Sequence, residues 1–176
     1  MKNLKIIIGL GNPITKYKNT RHNAGIWYLH MLSKIYNKKF KKINKFNGYV
    51  SEILFFNKKV FLFVPDVYMN LNFLPIYKIS SFYNITLNEM LIIHDELDLQ
   101  PGVIKLKNGY GSNGHKGLKG IIQKFKKKNF YKRLSIGIGR PDNVHEISNY
   151  VLSKPTSHER EKIFQAIKKS ILSIFF

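Results

Sequence analysis

The sequence predicts one three-layer α/β/α domain, residues 1–176, built on a mixed, mainly parallel central sheet. Three observations point there. Segments with strand and helix character alternate along the chain. Two of the strand segments, Leu4 to Ile8 and Met90 to Ile93, are apolar apart from Lys5, as strands covered on both faces are. A chain of 176 residues with 44% hydrophobic content supplies one substantial core and is too short to supply two.

Composition narrows the function classes. The absence of cysteine excludes disulfides, thiolate nucleophiles and cysteine-based metal sites. The apolar run Ile6 to Leu10 is too short to span a bilayer, and Asn12-Pro13 follows it where a signal peptide would continue apolar. A cytoplasmic protein with no membrane partner is expected. The formal charge of +20 draws the chain toward polyanions, for which nucleic acid or an anionic membrane surface would qualify. Its residue usage is rich in Lys, Asn, Ile, Phe and Tyr, with only four arginines, so compositional bias also feeds the lysine excess. The clustering of charge therefore tells more than its sum.

In chain order, the first strand delivers Gly9-Leu10-Gly11-Asn12-Pro13 to a strand end. A dinucleotide fingerprint would need glycine at position 14 and an acid about twenty residues on; the chain has Ile14 and no acid before Glu52. Thr20 is the expected N-cap of a helix in which Ala24, Tyr28, Met31, Leu32 and Ile35 recur at helical spacing. His22 falls in its first turn, where the helix dipole favours neutral imidazole, the form of a general base; a histidine that merely helps cap the helix fits the same position.

Phe46 to Leu54 and Val60 to Val64 read as a hairpin joined through Asn57-Lys58-Lys59. Tyr68-Met69-Asn70 then leads to Asn72, an expected cap, and to a helix with Ile76, Ile79 and Tyr83 on one face and Pro75 in its first turn. The next strand ends in His94-Asp95-Glu96-Leu97-Asp98. Three acids in four positions are not expected to be buried together, which places this segment at a sheet edge or in a cleft. A metal site from His22, His94, Asp95 and Asp98 is conceivable, but no metal-ligand spacing supports it, and none is expected.

After the Pro101-Gly102 turn, Val103 to Lys107 alternates with Lys105 and Lys107 on one face. A glycine-rich loop, 108–117, leads into a helix marked by Leu118, Ile121, Ile122 and Phe125, with Lys119, Lys124 and Lys126 to Lys128 around it, the best local case for a nucleic-acid face. Arg133 to Ile138 is a further strand. Thr156 with Glu159 forms a capping box before a last helix bearing Ile163, Phe164, Ile167 and Ile171.

Taken together, Gly9-Leu10-Gly11-Asn12-Pro13, Tyr17, Thr20-Arg21-His22-Asn23, Tyr68-Met69-Asn70, His94 to Asp98, Gly114-His115 before Gly117-Leu118-Lys119, and Ile136 to Pro141 resemble bacterial peptidyl-tRNA hydrolases. The resemblance implies a metal-free, cofactor-free and monomeric esterase. Its substrate would be peptidyl-tRNA, cut between the peptide carboxyl and the 3′ ribose. His22 matches the catalytic base and Asp95 its carboxylate partner. Asn12 and Asn70 match cleft amides, with Tyr17 and Met69 beside them. Lys107 matches a lysine that holds the tRNA 5′-phosphate, and Lys105, Lys119 and Arg133 complete the expected tRNA-binding set.

The chain also departs from the family. Lys116 replaces an asparagine of the cleft, and Ser135 replaces the arginine that pairs with the phosphate-binding lysine, for which Arg133, two residues away on the same strand face, is the candidate substitute. Ile14 and Phe73 stand where glycines are usual, and the sequence stops at Phe176, before the family's closing segment. A tRNA-binding protein of the same fold with weak or no catalysis is the alternative these departures raise.

Overall fold

Seven strands form one sheet in the order β2-β3-β4-β1-β5-β7-β6. The structure is a computed structural model that describes residues 3–109, 111–125 and 131–176. The strands are β1 (Ile6–Gly9), β2 (Lys41–Ile43), β3 (Gly48–Phe55), β4 (Lys58–Pro65), β5 (Met90–Glu96), β6 (Ile104–Gly109) and β7 (Tyr131–Gly137). The helices are α1 (Ile14–Tyr17), α2 (Ala24–Ile35), α3 (Phe73–Phe82), α4 (Lys116–Phe125), α5 (Ile147–Leu152) and α6 (Ser157–Phe175). Neighbours β4, β1, β5 and β7 are parallel, and antiparallel pairs extend the sheet at both ends. Lys126 to Lys128 of the expected basic face lie outside the described residues.

Both faces of the central strands are buried, which is why β1 and β5 lack a polar alternation. Ile7, Leu91, Ile93, Leu134 and Ile136 face one core with α2 and α6. Ile6, Ile8, Ile92 and Tyr131 face the other with α3 and α4. The expected layers are therefore present. A β-carbon on Gly25 would lie 2.4 Å from the Ile93 carbonyl oxygen, so only glycine lets α2 settle this low on the strand ends. Phe73 lies over Gly120 of α4, where a β-carbon would meet its ring at 2.7 Å.

The structure corrects several local expectations. Strand β2 carries exposed Lys41 and Lys42 and no apolar alternation, so no sequence period marked it. The β3–β4 turn sits at Phe56-Asn57, one residue earlier than expected, and both take positive φ, the signature of a tight two-residue hairpin turn. Thr20 does not cap a helix with its side chain; its hydroxyl donates to the Tyr17 carbonyl at 2.9 Å. Strand β5 runs on to Glu96 in the middle of the sheet, and Asp95 and Glu96 are both buried. Of the three acids, only Asp98 is well exposed, paired with Arg140. The capping box of Thr156 and Glu159 forms as expected.

Candidate active site

The parallel strands β1, β4 and β5 end on one side of the sheet, where open α/β sheets place their crevices. Here a cleft of about 360 Å³ is lined by Asn12, Tyr17, His22, Met69, Asn70, Asp95 and Lys116. Every residue expected from sequence to be catalytic or substrate-binding meets in this one place. Tyr68, Glu96, His115 and, from α5, Ile147, Val151 and Leu152 complete much of the wall.

His22 lies in a single 3-10 turn, Arg21–Asn23, that leads into α2. Its Nδ1 is 2.9 Å from both carboxylate oxygens of Asp95. His115 approaches the same carboxylate, with Nε2 at 3.0 Å from Oδ1. Its Nδ1 accepts from the Leu118 backbone N–H at 3.3 Å, so the ring caps α4 and carries its proton on Nε2. Burial alone would raise the Asp95 pKa, but the facing imidazoles of His22 and His115 outweigh it. They hold the carboxyl well below the usual carboxylate range. An ionised Asp95 accepts, so His22 donates from Nδ1. Its Nε2 is left as the lone-pair nitrogen, with no hydrogen bond to the protein among the described residues.

His94 turns away from this pair. Its Nδ1 donates to the Asp95 carbonyl oxygen at 2.6 Å, and its Nε2 accepts from the Ser135 hydroxyl at 3.1 Å. Burial, helped by His115, pushes its pKa down to about 3, so the folded protein holds it neutral. The unfolded chain titrates near the ordinary histidine value and binds the proton first. Stability is therefore complete above about pH 6.5 and falls toward pH 3 by up to roughly 1.4 kcal/mol per pH unit. Urea unfolding between pH 7 and pH 4 should show this slope, and His94→Gln should flatten it.

Two buried asparagines shape the loop after β1. The Asn23 amide closes a ring with the Asn12 peptide group, accepting from its N–H at 2.8 Å and donating to its carbonyl at 3.0 Å. Asn72 does the same with Gly11 and also donates to the Val67 and Tyr68 carbonyls. Asn72 is thus no helix cap. Asn12 in turn accepts the Met69 N–H with its side-chain oxygen at 2.8 Å, which points its NH₂ group at the cleft. Asn70, in the short 3-10 turn Met69–Leu71, is exposed on the cleft wall.

The expected tRNA-binding residues lie beside the cleft. Cross-strand partners Lys105–Ser135 and Lys107–Arg133 place both lysines on the sheet face that α4 covers, and Lys119 is exposed on α4. The Lys107 ammonium is 3.6 Å from Glu96 Oε2, a buried oxygen with no hydrogen bond among the described residues. Arg133 sits differently from its expected role. It is buried, with Nη1 donating to the Gly111 carbonyl at 2.6 Å, and so it holds the glycine-rich loop from beneath.

The conceivable metal set does not assemble, because both His94 nitrogens are bonded within the protein and Asp98 pairs with Arg140. Among the described residues, His22, Asp95 and His115 do bring their ligand atoms within 4.8 Å, but both imidazoles spend those atoms as donors to Asp95. From sequence, His115, Glu96 and Asn23 carry no assigned role, and Asn72 is read only as a helix cap. His115, Glu96 and Asn23 all stand in the motifs that carry the resemblance, the signal through which their roles could have been sought, whereas Asn72 stands outside them.

A family model described as peptidyl-tRNA hydrolase matches residues 6–174. The peptidyl-tRNA hydrolase of Buchnera aphidicola subsp. Cinara cedri is 48% identical over 97% of this chain and 89% of that protein. That of Photorhabdus laumondii is 44% identical over 97% of this chain and 87% of its own length. The crystal structure of peptidyl-tRNA hydrolase from Acinetobacter baumannii superimposes with a TM-score of 0.92 at 38% identity, covering 99% of this chain and 89% of that one.

Proposed function

The chain belongs to the peptidyl-tRNA hydrolase family, and from that premise we propose how its cleft cleaves the ester between a peptide and the 3′ ribose of tRNA. The observation that carries the reading is the bare Nε2 of His22, set in the cleft by Nδ1–H donation to ionised Asp95. His22 takes a proton from water as that water attacks the ester carbonyl. Asp95 stabilises the imidazolium that forms. The same imidazolium returns its proton to the departing 3′ oxygen, leaving a peptide carboxylate and a free tRNA hydroxyl. His115 keeps the carboxylate in place with a second N–H.

The NH₂ of Asn12 is aimed to donate to the carbonyl oxygen as it gains charge, a contribution worth about 10²- to 10³-fold in rate. Asn70 and Lys116 offer further donors on the peptide side, while Tyr17 and Met69 supply wall. No step uses a metal or a cofactor. Lys105, Lys107 and Lys119 hold the phosphates, and Arg133 supports them by fixing the glycine-rich loop. Lys107→Ala should weaken tRNA binding evenly across sequences and reduce the slope of log affinity against log salt by about 1, measured by titration at several salt concentrations.

We place the protein in the cytoplasm, as a monomeric single domain. A substrate made during translation supports this, and no helix among the described residues is long and apolar enough to cross a membrane. The deciding assay is release of an N-acetylated amino acid from its tRNA, beside the unacetylated substrate and with a chelator. Chelator-resistant cleavage of the acetylated substrate alone supports the mechanism. Binding of tRNA without cleavage would favour a binding protein of the same fold and overturn it.

A further inference from the structure

We propose that Arg21 is a positioning residue that ties the helix roofing the peptide side of the cleft to the turn that carries His22. This rests on His22 being the base, as argued above. Arg21 shares the Arg21–Asn23 turn with His22 and is buried. Its Nη1 donates to the Ser153 hydroxyl at 2.6 Å and the Lys154 carbonyl at 2.8 Å, and its Nη2 donates to Glu159 Oε2 at 2.8 Å. The guanidinium carbon stands 4.1 Å from the centre of the Tyr150 ring. Even the Arg21 backbone N–H donates to the Ser153 carbonyl. Every one of these partners belongs to the segment from Tyr150 to Glu159, which holds the end of α5 and the start of α6.

That segment contributes to the site, because Ile147, Val151 and Leu152 of α5 line the same cleft as His22. The Tyr150 hydroxyl donates to the Ile138 carbonyl at 2.7 Å, so the ring under the guanidinium is itself fixed to the strand β7 exit. A buried arginine is a costly way to staple two segments. Its charge must be desolvated, its Nε is left without a partner, and apolar residues of similar volume hold such contacts at least as well. What a guanidinium adds is direction, since its planar fork fixes the angle as well as the distance between the parts it joins. The roof over the peptide and the base under the ester are thereby held as one unit.

The test uses the intact chain with Arg21→Lys and Glu159→Gln. Glu159 Oε2 accepts from both the Thr156 N–H and Arg21 Nη2, and Glu159 does not line the cleft, so glutamine keeps the capping box but takes away the charge that strengthens the bond to Arg21, weakening the far end of the strut. Arg21→Lys should lower kcat about tenfold to a hundredfold, the scale of a small misplacement of a reacting group, while affinity for deacylated tRNA stays as in wild type. Glu159→Gln should lower kcat in the same direction and shift the His22 imidazole resonances in ¹H–¹⁵N spectra. The double variant should be no slower than Arg21→Lys.

Wild-type kcat and unmoved His22 resonances in Glu159→Gln would overturn the proposal, whatever happens to the melting temperature, and would leave Arg21 a simple staple. If Arg21→Lys fails to fold, Glu159→Gln decides alone. An inactive wild type would instead overturn the hydrolase mechanism, and the resonance shift would still report on the strut.

Discussion

Asp95→Asn should lower turnover by about 10⁴-fold while leaving the cleft in its present shape. The reason lies in which partner can yield. His115 cannot change tautomer, because its Nδ1 accepts the Leu118 N–H that starts α4. Its Nε2–H therefore keeps the single oxygen of the new carboxamide, and the NH₂ turns toward His22, where Oδ2 now accepts at 2.9 Å. His22 must then accept at Nδ1 and carry its proton on Nε2, the nitrogen meant to take a proton from water. Single-turnover cleavage of N-acetylated aminoacyl-tRNA measures the loss, and ¹⁵N shifts of the ring report the tautomer. Turnover within tenfold of wild type would show that the carboxylate does not set the state of the base.

His22→Ala should cost about 10²- to 10⁴-fold in kcat, the usual contribution of a positioned general base. Asn12 and the cleft walls remain, so slow cleavage above the uncatalysed rate should persist. Binding of deacylated tRNA should be nearly unchanged, because Lys105 and Lys107 lie on β6 and Lys119 on the exposed side of α4. Titration at fixed salt beside the rate assay separates the two quantities. Unimpaired hydrolysis would remove His22 from the mechanism.

Much of this arrangement was legible in the amino-acid sequence, and the parts that were not share a cause. Strands β1 and β5 announced themselves because burial on both faces leaves a short apolar run, and the period of two put Lys105 with Lys107 on one face of their strand and Arg133 with Ser135 on one face of theirs. Strand β2 was invisible because an exposed edge of lysines carries no period. The burial of Asp95 contradicts a sound local rule, and what overrides the rule is two imidazoles 73 and 20 residues away. Asn72 reads locally as a cap, but its amide is claimed by Gly11, 61 residues distant. Arg133 lies on the expected face, yet the loop that covers it is set by Gly111. In each case a long-range hydrogen bond outweighs a short-range preference.

The strand order also governs the sequence in which working parts appear as the chain is made. Strand β6 borders β7 alone, and β7 is synthesised later, so Lys105 and Lys107 have no sheet to rest on until Gly137 has emerged. The Arg21 anchor comes later still, with Ser153 and Glu159. By contrast, β1 can pair with β5 as soon as Glu96 exists, bringing His22 to Asp95. In the proposed mechanism a growing chain thus acquires its proton-transfer pair before the lysine face that would grip a substrate, because the contacts that complete that face close later and over long sequence separations.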